Sequence, residues 1–132
     1  MEIGIKGHKE FIIDHLHTAK AMGSGELYIF ATPALAAFIE NVCMESVSKA
    51  LEPGEETVGI HLDITHESAT PIGMKVIVES ELIQIDRRRL IFDVKAYDEC
   101  GLISHGKHER FIIQNKSFLE KTNAKLKKPH IS

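Results

Sequence analysis

From Thr57 to Gln114 the chain alternates apolar and polar residues in long runs, and ahead of them stands one stretch with helical spacing. That stretch is "FATPALAAFIENVCMESVSKAL", Phe30 to Leu51. Pro33 suits a first helical turn and Thr32 suits the N-cap, so the pattern predicts a helix from there to about Leu51. "EPGEE" (52–56) ends it with Pro and Gly. Over 57–68, Val58, Ile60, Leu62 and Ile64 fall on one face and Thr57, Gly59, His61, Asp63 and Thr65 on the other. This period of two predicts a half-buried strand. "ATPIG" (69–73) reads as a turn, 74–85 as a strand, and "DRRR" (86–89) as a tight charged connection. Residues 89–98 read as a strand with Leu90, Phe92, Val94 and Ala96 inward; "DECG" (98–101) reads as a hairpin turn and 102–114 as the last strand. Upstream, 2–13 reads as a first strand and 15–25 as a turn of helix ending in a flexible Gly-Ser-Gly loop. The tail, 116–132, carries Lys116, Lys121, Lys125, Lys127 and Lys128; it reads as a short helix and then disorder, a solvated end.

One long helix followed by a meander of four long strands predicts an α+β fold, with a curved antiparallel sheet wrapped around the helix. Such a sheet leaves edges, which makes pairing into a dimer an expectation. At 132 residues the chain is expected to form a single domain over 1–132. Apolar residues make up 43% and charged residues 27%, ordinary for a soluble globular protein. A net charge of −3 argues against a nucleic-acid partner, because neutralising phosphates needs a basic surface. Cys43 and Cys100 make no disulfide framework. The stretch MEIGIKGHKE has no long apolar run, so no signal peptide is expected, and no run approaches the ~20 apolar residues of a membrane helix. The expected setting is the cytoplasm.

Three residues do not fit a bland core. Helical projection puts Glu40 among Ala36, Ala37, Cys43, Met44 and Val47, while Asn41, Glu45, Ser48 and Lys49 occupy another sector. Glu45 is therefore a surface residue. Glu40 is either a paired carboxylate on an apolar stripe or a stripe-edge residue that reaches water. His66 shares the parity of the apolar face of its strand, whereas His61 points the other way. It is either a hydrogen-bonded core histidine or, with Glu40 on the helix packed above, half of an acid–base pair. Thr32 is either the cap alone or a cap that also marks a carbonyl site, where free N–H groups and the helix dipole gather. Eight residues of helix rise roughly 12 Å and turn by about 80°, so Thr32 and Glu40 of one chain do not touch. His15, His17, His105 and His108 are weaker candidates. No HExxH, CxxC or Asp-rich loop occurs, so no metal site is expected, and no P-loop or GxGxxG occurs.

With Thr32, Glu40, Gly59 and His66 assembled, the sequence resembles the hotdog-fold acyl-CoA thioesterases, in particular the fluoroacetyl-CoA thioesterase-like family. The resemblance rests on "FATPALAAFIE", "TVGIHLDITHESATPIGMKV" and "RRLIFDVKAYDECGLISHGKHERFII", which together span most of 30–113. It implies that Thr32, Glu40 and His66 are the catalytic constellation and that Gly59 lies near the thioester. It also implies that Arg110, in "HERF", lies near the active site or CoA. It implies a homodimer, or a tetramer of such dimers, with active sites at or near the interface. It calls for no cofactor, since CoA is part of the substrate. The fluoroacetyl-cleaving member uses an aromatic gate ahead of the threonine; that region here reads "GSGELYIF", with Tyr28 and Phe30 available, and fluoroacetyl specificity is not implied. The expected activity is hydrolysis of a small acyl-CoA thioester. The alternatives are another hotdog acyl-thioester enzyme, a hydratase or dehydratase, and a non-catalytic acyl-CoA-binding module.

Overall fold

The computed structural model describes residues 1–128. Five strands form one antiparallel sheet: β1 (Lys6–Ile12), β2 (Glu55–Ile64), β3 (Lys75–Asp86), β4 (Arg89–Asp98) and β5 (Gly101–Gln114). Their order is β1-β3-β4-β5-β2, so β1 and β2 are the edges. The short helix α1 (Ala19–Met22) and the long helix α2 (Thr32–Val47) lie between β1 and β2 in the chain, and α3 (Asn115–Asn123) follows β5.

Helix α2 forms because its apolar residues recur on one stripe. Ala34, Leu35, Ile39, Val42, Cys43 and Val47 are all buried against the sheet. Facing them, Leu90, Phe92, Val94 and Ala96 of β4 are buried as their alternation requires, with Val76, Val78 and Leu82 of β3 alongside. Each such large side chain contributes about 1.5–3 kcal/mol on burial. The helix tightens into a 3₁₀ turn over Ser48–Ala50, and Gly54, at φ 84°, turns the chain into β2. Phe11 of β1 stacks on Phe38 of α2 at a centroid distance of 3.9 Å, fixing the β1 edge to the helix.

Strand β2 departs from simple alternation. Gly59 pairs with Arg110 and His61 with Glu109, so Ile60 is an extra residue in a bulge. The bulge reverses parity. Before it, Thr57 is buried and Gly59 lies against inward groups; after it, Leu62, Ile64 and His66 are the partly buried set. The expected face of Val58, Ile60, Leu62 and Ile64 is therefore correct only in its second half, and Ile60 is 50% exposed. The ladder ends at Ile64, but Thr65 and Glu67 still donate backbone N–H groups to His105 and Ile103. Alternation thus continues into the loop, and it keeps His66 on the side of Leu62 and Ile64.

Other differences are smaller. β1 begins at Lys6 rather than Glu2, because a turn with Gly4 at φ 99° precedes it. The expected disorder beyond the short tail helix concerns residues 129–132, which lie outside the described ones; α3 and a 3₁₀ turn over Ala124–Leu126 precede them. No helix among the described residues is long and apolar enough to cross a membrane.

Where β2 and β5 cross most closely, Gly106 faces Ile64. A Cβ there would overlap the Asp63 carbonyl oxygen and crowd the Ile64 Cα at 2.8 Å. Backbone cannot swing aside as a side-chain end can. Gly106→Ala is expected to lower stability by more than about 2 kcal/mol, measured by urea denaturation. An unchanged midpoint would contradict this packing.

Candidate active site

Two groups of polar residues meet α2 at two different levels. The first is at its N-terminus. The N-cap is Ala31, in extended conformation, and no side chain caps the helix. The expectation that Thr32 serves as the cap is corrected here: Thr32 is the first helical residue, and its hydroxyl lies 2.7 Å from His66 Nδ1. The histidine displaces the capping role because β2's continuation brings its ring over the helix start. Leu35 donates its N–H to the Ala31 carbonyl and Pro33 carries none, which leaves the Thr32 and Ala34 N–H groups without an intrahelical acceptor at this end. The positive end of the helix dipole lies there too.

Packing holds this end in place. Phe30, buried, sets its ring edge-on to His66 at 5.9 Å. The Phe30 N–H donates to the Thr70 carbonyl and the Ala31 N–H to the His17 carbonyl, which ties the helix entrance to both flanking loops. Thr32, His66, Phe30, Ala31, Pro33 and Glu67 line part of a cleft of about 270 Å³. Burial holds the His66 pKa below the ordinary histidine value. Its Nε2 is buried and has no hydrogen-bond partner among the described residues.

The second group lies two turns further along α2. The Glu40 side chain is 44% exposed, so it sits at the edge of the buried stripe. Ala37 and Met44, its neighbours in projection, are exposed as well. This strip of α2 is apolar in composition and uncovered in the chain. Inward of Glu40 lies Gly59: a Cβ on it would stand 2.7 Å from Glu40 Oε2, 3.2 Å from His108 Cε1 and 3.5 Å from Arg110 Nη1. The missing side chain is what lets a carboxylate, an imidazole and a guanidinium converge.

Arg110 is 6% exposed. Its Nε donates to Thr57 Oγ1 at 2.8 Å, its Nη2 to the Thr57 carbonyl at 2.9 Å, and its Nη1 lies 3.1 Å from His108 Nε2. A buried cation is tolerated when its donors are satisfied in this way. Burial lowers the Arg110 pKa, and Glu40 opposes that shift. Arg110 thus faces Glu40 and the core rather than the surface. Cys43, buried nearby, has its thiol pushed up to about 12 by burial, so it stays protonated and is no nucleophile.

The sequence-expected residues therefore fall into two sets: Thr32 with His66, and Glu40 with Gly59 and Arg110. Among the described residues no hydrogen bond or ion pair joins Glu40 to His66. Of the site-lining residues, His108 ranks in the sequence only among the weaker candidates, and Thr57 is not singled out there. The available signal was spacing, since His108 and Arg110 are two apart on a strand and must share a face. His105, by contrast, is exposed and bonded to Glu67 at 2.6 Å.

Residues 13–116 match the family model described as fluoroacetyl-CoA-specific thioesterase. The fluoroacetyl-CoA thioesterase of Streptantibioticus cattleyicolor is 39% identical over 99 residues, covering 75% of this chain and 68% of that protein. A threonine-to-serine mutant of a fluoroacetyl-CoA thioesterase, solved in complex with acetyl-CoA, superposes with a TM-score of 0.89 at 30% identity, covering 95% of this chain and 98% of that one. A hot-dog-like protein from Thermanaerovibrio acidaminovorans shares the fold at 18% identity, with a TM-score of 0.85 over 100% of this chain and 96% of that one. The α+β arrangement of a sheet wrapped around one long helix is thus the hotdog fold, and the chain belongs to the fluoroacetyl-CoA-specific thioesterase family.

Proposed function

We propose that the protein hydrolyses a small acyl-CoA thioester to the free acid and CoA, in a cleft that a second copy of the chain completes. The observation that carries this reading is the 2.7 Å pair of Thr32 and His66 at an uncapped helix start, in a chain of a thioesterase family. A thioester carbonyl set against Thr32 and the first-turn N–H groups has its developing oxyanion stabilised there. His66, held neutral by its buried setting, accepts a proton from the attacking water and returns one to the departing thiolate. Glu40 serves as the carboxylate that orients and balances His66, or as the nucleophile of an anhydride route. Gly59 leaves room for the acyl group beside Glu40. Arg110 acts on the acyl end through Glu40 rather than by reaching the phosphates of CoA.

Helix geometry supports the reading of a second copy. Thr32 and Glu40 are eight residues apart on one regular helix, too far to share one carbonyl. The uncovered strip of Ala37, Glu40 and Met44, the free edge of β2 and the unpartnered His66 Nε2 all favour a partner chain. In a dimer, Glu40 of one chain is offered to Thr32 and His66 of the other. The thiols of Cys43 and Cys100 are free, which suits the cytoplasm.

Two outcomes check the reading. Across a panel of acetyl-, fluoroacetyl-, propionyl- and longer acyl-CoA esters, the wild type is expected to release free thiol, and Glu40→Ala to lose at least about 10²-fold in kcat. No thiol release on any ester, with binding retained, would favour the non-catalytic module. Thr32→Ala is expected to lower kcat by about 10²-fold and Thr32→Ser by less than about fivefold, since serine keeps the hydroxyl facing His66. Equal rates for both variants would remove Thr32 from the mechanism. Sedimentation is expected to show twice the chain mass, or four times it for paired dimers.

A further inference from the structure

His108 is an almost fully buried imidazole at the site and has no part in the chemistry described above. It is 1% exposed, packed near Phe92 at a ring distance of 6.4 Å. Its Nδ1 lies 2.8 Å from the His61 carbonyl oxygen. A carbonyl only accepts, so Nδ1 carries the proton. Its Nε2 lies 3.1 Å from Arg110 Nη1, which only donates. Nε2 must therefore present its lone pair. The two contacts together admit one form of the ring, the neutral Nδ1–H tautomer.

The bulge in β2 contributes directly to this arrangement. It redirects the His61 carbonyl toward β5 while His61's own side chain stays exposed. The imidazole is thus clamped between a backbone acceptor and a side-chain donor. On the far side, its Nε2 stands 4.0 Å from Glu40 Oε2. A cationic His108 at that distance would form an ion pair with Glu40 and compete for the carboxylate. A neutral one leaves Glu40 free and turns the guanidinium toward it.

We propose that His108 is a positioning residue for the thioesterase reaction: a neutral imidazole that orients Arg110 beside Glu40 and keeps that carboxylate available. This rests on the reading of Glu40 as the catalytic carboxylate. The titratable groups facing the ring and its Arg110 partner are Glu40 and Cys43 from α2 and Arg110 and Glu109 from β5. Burial is the largest influence on His108 and favours the neutral form; Arg110 acts in the same direction, while the His61 carbonyl, Glu40 and Glu109 oppose it.

The test has a kinetic and a spectroscopic arm. His108→Gln places its amide oxygen near the Nε2 position and keeps the acceptor for Arg110; His108→Phe keeps the ring packing and removes it. With a hydrolysed acyl-CoA ester, His108→Phe is expected to lower kcat at least about tenfold, with KM within about threefold, and to shift the acidic limb of the kcat–pH profile. His108→Gln is expected to recover most of both. If His108→Phe lowers the melting temperature but leaves kcat and the pH profile unchanged, the residue is structural only and the proposal fails. The second arm needs no substitution. Long-range 1H–15N correlation spectra of the wild type are expected to show His108 as the Nδ1–H tautomer, with any protonation of the ring at a pH below that of an ordinary histidine. A ring that protonates near the ordinary histidine value, or carries its proton on Nε2, overturns the proposal whether or not the enzyme is active. A failed thioesterase assay in the wild type with the expected spectra would instead refute the functional reading and leave the tautomer assignment standing.

Discussion

A guanidinium buried in the interior must have its donors met, and meeting those of Arg110 determines how this site is arranged. Thr57 takes two of its N–H groups and His108 a third. Thr57 faces inward on the side of Leu62 only because the extra residue Ile60 reverses the parity of β2 between them, while His108 faces inward with Arg110 by the alternation of β5. Without the bulge, Thr57 and Leu62 could not lie on the same side of the strand. The bulge and the buried cation are thus two sides of one solution: an interior polar patch in a sheet lined mainly by Val, Leu, Phe and Ala. Gly59, between Thr57 and the bulge, leaves the opening through which Glu40 of α2 approaches.

The long helix then serves two purposes with one geometry. Its start offers unpaired N–H groups and a dipole, and its middle carries a carboxylate. These are the parts that acyl transfer from a thioester requires, an oxyanion site and a base or nucleophile. Regular helix geometry keeps them apart in one chain, so the proposed reaction assigns them to two neighbouring active sites. Thr32 and His66 then serve the site at their own helix start, and Glu40 serves the partner's. Such an arrangement gives the exposed Ala37–Met44 strip a reason: it is uncovered in one chain because another chain covers it.

Much of the fold is legible in the sequence for a physical reason. Strands β3, β4 and β5 lie in a sheet with one apolar face, and their residues alternate accordingly. Helix α2 packs its stripe against that face, so its period shows too. What alternation cannot show is a one-residue insertion, because a bulge costs no residue of unusual type; Ile60 looks like any inward isoleucine. Alternation alone therefore gives the wrong face for β2 upstream of the bulge and the right side for His66 downstream of it. Thr32 was legible as a helix-start residue, but not as the partner of His66, since that contact joins residues 34 apart. His108 ranks only among the weaker candidates because a histidine in a strand carries no local sign of burial. Its i, i+2 relation to Arg110 acquires meaning only once Arg110 is known to face inward.

The central claim, that one active site draws Thr32 and His66 from one chain and Glu40 from another, is tested most directly by mixing inactive chains. Glu40→Ala and His66→Ala proteins, each inactive alone, are co-expressed with different tags and the mixed dimer is isolated. In the proposed arrangement, one of its two sites keeps an intact His66 from the first chain and an intact Glu40 from the second, while the other site loses both. The mixed dimer is then expected to regain about half of wild-type thioester hydrolysis per dimer. If the mixed dimer stays as inactive as its parents, each site takes Glu40 and His66 from the same chain, and the account of a shared cleft is wrong.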